Sequence, residues 1–247
     1  NPGRIHRHLS TLCAGSKMSC LAASLLARAD HEVLWRLPAT GLESVTVGQL
    51  RRALAQVDLR LYRGKRVAIG PMPVAELLAT LVLLDGLAAA ILMLPAEEDR
   101  AATEARMQQA GMEVLLEGAG AGLLAAIGSA APAVGGAGLG EGGSVPAVGG
   151  SGLVPGTLTA DSDLTDLASR DQATRWLMPT SGTTGSPKLI AHTFASLTKS
   201  MARPAAGKQL IWGCLYSVRR FAGLQVFLQA WLEGTPLIVP EDGADSG

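Results

Sequence analysis

Three consecutive segments between Arg66 and Leu94 constrain the fold more than any other part of the chain. "RVAIG" (66–70) is an apolar run of strand length. Pro71 and Pro73 then break the chain. "VAELLATLVLLDGL" (74–87) is a strongly apolar helical segment, and "AAILML" (89–94) is a second apolar run of strand length. A strand, a helix and a strand in succession form a crossover unit. Such a unit places its strands parallel in one sheet, buried by helices.

The alternation continues on both sides. "LAASLLARAD" (21–30) reads as a short helix, and "VTVGQLRRALAQVDL" (45–59) as a brief strand entering a helix. In that helix Leu50, Leu54 and Val57 recur at helical spacing. "AEEDRAATEARMQQA" (96–110) is a polar-faced helix whose acidic start suits the positive end of the helix dipole. Gly111 stops it, and "MEVLL" (112–116) is the next strand. After about residue 160, "TRWLMPT" (174–180) and "KLIAHT" (188–193) are strands, and "FASLTKSMA" a short helix. "KQLIWGCL" (208–215) is a strand, "FAGLQVFLQAWLEG" (221–234) an amphipathic helix closed by Gly234, and "TPLIVP" (235–240) the last strand. The expectation is an α/β chain with largely parallel sheets and helices on both faces.

Between these regions the composition changes. Residues 118–156 hold 14 of the 30 glycines and a single charged residue, Glu141. Such a stretch buries too little surface to offset its backbone entropy and reads as a loop or linker. "AVGG" occurs at 133–136 and again at 147–150, which is low complexity rather than a structural repeat. The expected organisation is a first α/β half at 1–117, a Gly/Ala-rich linker at 118–156, and a second part of the same core at 157–247.

Composition excludes several functions. Lys plus Arg and Asp plus Glu both number 21, so the chain carries no basic footprint for nucleic acid or anionic membrane. Aromatic residues are 4%, too few for a base-stacking platform. Asp85 and Gly86 interrupt the longest apolar stretch, so no membrane span is expected. Cys13, Cys20 and Cys214 match no zinc spacing and read as thiols in a reducing cytoplasm. Of the histidines, His6 and His8 lie in a basic terminal stretch and read as solvated, and no metal site is expected. The lack of an initiator Met and the ending "VPEDGADSG" suggest a fragment of a longer reading frame.

One motif carries chemistry. "LMPTSGTTGSPKLIAHT" (177–193) sets hydroxyls and glycines, then a lysine, between two apolar runs. Gly182 and Gly185 allow backbone N–H groups to face outward, and successive exposed N–H groups make an anion-binding concavity. Thr180, Ser181, Thr183 and Thr184 add donors without bulk, Pro187 stiffens the exit, and Lys188 adds one positive charge. These parts suit a polyphosphate. The G-x-x-x-x-G-K-[ST] loop that precedes a helix does not fit, because the glycines are three apart and a strand follows Lys188.

"TSGTTGSPK" (180–188) resembles the phosphate-loop signature of the adenylate-forming (AMP-binding) superfamily. That group comprises acyl- and aryl-CoA synthetases, luciferases and peptide-synthetase adenylation domains. "HTFASL" (192–197) is similar to the family's continuation. "VTVGQLRRAL", the segment from Gly64 to Asp99 and "LYSVRRFAGLQVFLQAWLEGTPLIVP" are similar to other stretches of the family's large N-terminal domain. The resemblance covers the N-terminal part only. It implies activation of a carboxylic acid by ATP with Mg²⁺ to an acyl-adenylate, then transfer to a thiol of coenzyme A or a carrier protein. It implies that Thr180, Ser181, Gly182, Thr183, Thr184, Gly185 and Lys188 bind the ATP phosphates. It also places His192, Arg220, Phe221 and Gly223 near the acyl pocket. The adenine motif with its Mg-linked Glu, the ribose-binding Asp and the C-terminal domain with its catalytic Lys are absent from these residues. The chain alone is therefore expected to be inactive.

The departures are Leu189 where the family favours Gly, Pro179 where an aromatic is frequent, and Arg220 near the place of a His or aromatic. Arg219 and Arg220 read either as partners of a substrate carboxylate or thiol-donor phosphate, or as a solvated pair at a helix start. Lys188 has a solvated-rim alternative, and His192 a packed one. A rival function is a non-catalytic nucleotide-binding or assembly module that kept the loop. A dinucleotide-binding oxidoreductase fails, because no G-x-G-x-x-G follows an early strand.

Overall fold

A computed structural model of the chain describes residues 20–37, 44–117, 173–180, 188–201 and 210–240. Helix α1 (Leu21–Leu26) is followed by strands β1 (Val33–Arg36) and β2 (Val45–Thr46) and helix α2 (Val47–Leu54). A 3-10 turn at Leu59–Leu61 leads to β3 (Arg66–Ile69), α3 (Val74–Leu84), β4 (Ala90–Met93), α4 (Arg100–Ala110) and β5 (Val114–Leu116). Then come β6 (Arg175–Thr180), β7 (Lys188–His192), α5 (Phe194–Thr198), β8 (Trp212–Gly213), α6 (Phe221–Glu233) and β9 (Leu237–Ile238). The linker expected at 118–156 lies outside the described residues.

The strands form two sheets. The larger has the order β5-β3-β4-β6-β7, with every pair parallel except β6 and β7. Its pleat explains why β3 and β4 look uniformly apolar in sequence. Val67, Ile69, Ile91, Met93, Trp176 and Met178 point to one side, into the main core with α1, α3 and α6. Ala68, Ala90, Leu92, Leu94 and Leu177 point to the other, against Ala110 and Met107 of α4. Helices therefore cover both faces, as expected of a doubly wound sheet.

The smaller sheet has the order β2-β1-β9-β8, with β1–β9 and β9–β8 parallel and β1–β2 antiparallel. Each sheet combines strands from both sides of residues 118–172. β1 was not expected from the sequence. "VLWR" is too short to show a period, and it becomes a strand through pairing with β9 far along the chain. Two other segments differ from expectation. α4 begins at Arg100 rather than among the acidic residues, because Asp99 caps it by accepting from the Ala102 N–H at 2.8 Å. Glu98 instead forms an ion pair with Arg106. The strand read over 208–215 is confined to Trp212–Gly213 among the described residues.

Polar anchors fix the helices. Asp85, 1% exposed, accepts from the Leu21 N–H at 2.8 Å and from Trp176 Nε1 at 3.1 Å, so it ties the start of α1 to β6. Arg51 closes the other end of α1, its Nη2 donating to the Leu25, Leu26 and Arg28 carbonyls. Trp231 of α6 donates to Ser24, and the Arg28 guanidinium lies 5.6 Å over its ring. α2 starts with a capping box in which Gln49 Oε1 accepts from the Thr46 N–H and Thr46 Oγ1 from the Gln49 N–H. Cys20 and Cys214 are buried and form no disulfide among the described residues, while Cys13, His6 and His8 lie outside them. No helix among the described residues is long and apolar enough to cross a membrane.

Every residue of α3 is buried, including Glu76 in its first turn. The helix dipole favours a carboxylate there, but burial outweighs it and pushes the Glu76 pKa up to about 7 from 4.5. Among the described residues no hydrogen bond reaches its Oε2. An acid whose folded pKa exceeds its unfolded one binds more protons in the native state, so stability falls as pH rises from about 4.5 to about 7 and then levels. Glu76→Gln is expected to flatten that fall and to stabilise the protein at pH 8 by about 1–3 kcal/mol. Urea unfolding at pH 5 and pH 8 measures this, and an unchanged difference between the two would contradict it.

Candidate functional site

β3, β4, β5 and β6 run parallel, so their carboxyl ends share one edge of the larger sheet. In open α/β sheets that edge is where ligands bind. β6 is paired by β4 as far as Leu177, and beyond that β7 alone flanks it among the described residues. Pro179 lies in this stretch, where its missing N–H removes no bond to β4. The register Thr180↔Lys188 closes an antiparallel hairpin around residues 181–187. The expected pairing of the two strands that flank residues 181–187 is thus observed. The hairpin's two stems, Thr180 and Lys188, face one another at the carboxyl edge, and Lys188 is exposed. Ser181, Gly182, Thr183, Thr184 and Gly185 lie outside the described residues.

The remaining candidates form a second group. His192 ends β7 opposite Trp176, four residues from Lys188, or roughly 13 Å along the strand. Its half-buried ring lies 5.5 Å from that of Phe221, tilted by 40°. Phe221 opens α6 and is 50% exposed, and Arg220 is the exposed N-cap residue, whose side chain makes no capping bond. Gly223 is buried in the first turn. A Cβ there would lie 2.2 Å from the Ser217 carbonyl oxygen, so the helix and the preceding turn approach in a way only glycine permits. The structure therefore brings Thr180 to Lys188, and His192 to Phe221 at the start of α6, as two groups set apart along β7.

Arg219 answers to neither sequence reading. It is 7% exposed, and its Nη1 donates to the Ile69 and Leu94 carbonyls at 3.2 and 3.1 Å. Its Nη2 donates to the Gly70 carbonyl at 2.7 Å. The guanidinium braces the carboxyl ends of β3 and β4 and fixes the turn that leads into α6. No local signal separates it from its exposed neighbour Arg220, because the carbonyls it meets are about 125–150 residues away in sequence. Among the described residues no group of three His, Cys, Asp or Glu is placed to hold a metal ion.

No protein-family model matches the chain, and no curated protein matches it. Solved structures do. The chain is similar to the N-terminal subdomain of NpsA from Klebsiella oxytoca at 15% identity and a TM-score of 0.58, covering 90% of this chain and 54% of that one. The inhibitor-bound N-terminal domain of FACL13 from Mycobacterium tuberculosis matches at 21% identity and a TM-score of 0.54, covering 90% and 57%. The O-succinylbenzoate coenzyme A synthetase MenE from Bacillus subtilis, in complex with AMP, matches at 13% identity and a TM-score of 0.53, covering 90% and 55%. The same enzyme with ATP and magnesium ion also matches, at a TM-score of 0.52. The chain spans a little over half the length of these structures. Its fold is the α/β fold of the N-terminal domains of adenylate-forming enzymes.

Gly223→Ala is expected to cost about 2–3 kcal/mol of stability, because the new methyl group meets backbone that has no room to move. Ala222→Ser, at the exposed neighbouring position, is expected to cost little. Urea denaturation of the two variants side by side gives the comparison, and equal midpoints would refute the close approach.

Proposed function

We propose that the chain is part of a ligase that activates a carboxylic acid with ATP to an acyl-adenylate and passes the acyl group to a thiol. The thiol is that of coenzyme A or of a carrier protein. The observation that carries this reading is the hairpin closed by Thr180 and Lys188 at the carboxyl edge of the larger sheet, with "SGTTGSP" between its stems. The fold supports it, since structures of that fold include complexes with AMP and with ATP and magnesium.

In this reading ATP supplies the electrophilic α-phosphorus and the pyrophosphate leaving group. The chain's own residues bind and orient. Backbone N–H groups at Gly182 and Gly185, with the hydroxyls of Thr180, Ser181, Thr183 and Thr184, donate to the terminal phosphates. Lys188 adds a point charge at the rim. His192 and Phe221 form an apolar wall for the acyl group, with Arg220 exposed beside them and Gly223 holding the start of α6 in place. The donor set of the loop suits a polyphosphate. Mg²⁺ bound to the phosphates of ATP would share their negative charge beside this loop.

The test is a comparison of Lys188→Ala and Thr184→Val in the complete gene product. Each removes one donor to an anion, worth roughly 1.5–3 kcal/mol, or about ten- to hundredfold in rate. Carboxylate-dependent exchange of pyrophosphate into ATP is expected to fall by that factor, while thermal melting hardly moves. The 247-residue chain alone is expected to give no exchange. Nucleotide binding without exchange in the complete product would instead support a non-catalytic nucleotide-binding module, and unchanged rates in both variants would make the loop structural.

A further inference from the structure

The charges of this chain balance as a whole but not locally. Lys plus Arg and Asp plus Glu both number 21 over the full length. From Gln172 to Pro240, however, the sequence holds seven Lys and Arg against one acid, Glu233. Glu233 ends α6, roughly 18 Å along the helix from Phe221. It already accepts from Trp212 Nε1 and from Gln229 Nε2, both at 2.6 Å. The start of α6 therefore lies in a stretch of one sign of charge, which attracts anions.

Arg220 stands there beside the aromatic pair. It is exposed, its side chain makes no capping bond, and no ion pair engages it among the described residues. The fold does not need its guanidinium, because Arg219 next to it already braces the turn on three carbonyls. Phe221 follows, 50% exposed, with its ring 5.5 Å from that of His192. One flat apolar surface and one uncommitted guanidinium thus come from adjacent residues. Both belong to the His192 group, which β7 sets roughly 13 Å from Lys188.

We propose that Arg220 sets the substrate class of this site, a dicarboxylic acid with an apolar body. The inference rests on the ligase reading. The reacting carboxylate must meet the α-phosphorus of ATP, which is linked to the phosphates held at the hairpin. An anion at Arg220 is therefore a second one, at the far end of the acid. A guanidinium matches a carboxylate with two parallel hydrogen bonds. The body of the acid lies on the Phe221 and His192 rings. A neutral isostere fills the same space but leaves the Arg220 donors unpaired, which is the kind of difference that gives strong discrimination.

Pyrophosphate exchange into ATP by the complete gene product tests this with two matched pairs of acids. Terephthalate is compared with 4-carbamoylbenzoate, and octanedioate with octanoate. The dianion is expected to lead in at least one pair by roughly ten- to a hundredfold in kcat/KM. Arg220→Gln is expected to remove that lead through a higher KM for the dianion, and Arg220→Lys to keep part of it. Thermal melting is expected to shift little in either variant, because the side chain is exposed. Neutral acids used as well as dianions in both pairs would overturn the proposal and leave the ligase reading standing. So would an Arg220→Gln loss of equal size for both members of a pair. A loss confined to thiol transfer would give Arg220 to a phosphate of the thiol donor and overturn it too. No exchange with any carboxylic acid would defeat the ligase reading itself, and this proposal with it.

Discussion

One buried guanidinium holds the two sheets in register. Arg219 sits in the turn between β8 and α6, which belongs to the smaller sheet and its helix. Three hydrogen bonds from its guanidinium end on the carboxyl edge of the larger sheet, at Ile69, Gly70 and Leu94. Taking a charge out of water costs several kcal/mol, and bonds from a charged donor return roughly 1.5–3 kcal/mol each. The arrangement is stable because three carbonyls at the end of the ladder are matched by one planar fork. Asp85 does the corresponding work at the other side of the core, joining α1 to β6 through the Leu21 N–H and the Trp176 indole.

This bracing bears on the candidate site. The turn fixed by Arg219 also sets where α6 begins, and so where Phe221 meets His192. Gly223 lets the first turn of α6 lie directly on the Ser217 carbonyl. The aromatic pair and the hairpin at Thr180 and Lys188 are therefore both referred to one rigid edge, one through β7 and the other through Arg219. Under the proposed function, such an edge would supply the fixed distances that positioned chemistry demands.

Much of this was legible in the sequence where local physics decides. β3, α3 and β4 announced themselves by apolar runs of fitting length and by the prolines between them, and Gly111 and Gly234 marked helix ends that the structure places in left-handed conformations. The hairpin strands followed from the apolar runs beside the loop. What the sequence concealed depends on distant partners. β1 needs β9, Arg219 needs carbonyls from β3 and β4, and the contact between His192 and Phe221 needs the start of α6 brought to β7. Asp99 rather than the residues before it starts α4, because one side chain positioned to accept from Ala102 outweighs a general preference for acidic residues near a helix start.

The pairing of Trp35 with Leu237 carries a consequence for synthesis. About two hundred residues separate these partners. At 5–20 residues per second, β1 leaves the ribosome roughly 10–40 s before β9 can reach it. Strands β3, β4 and β5 meet within about fifty residues and can assemble during that interval. The smaller sheet is thus a late event in the life of each nascent chain. For that period Leu34 and Trp35, 3% and 1% exposed in the folded protein, lack their final cover and are open to the chaperones that bind newly made apolar segments.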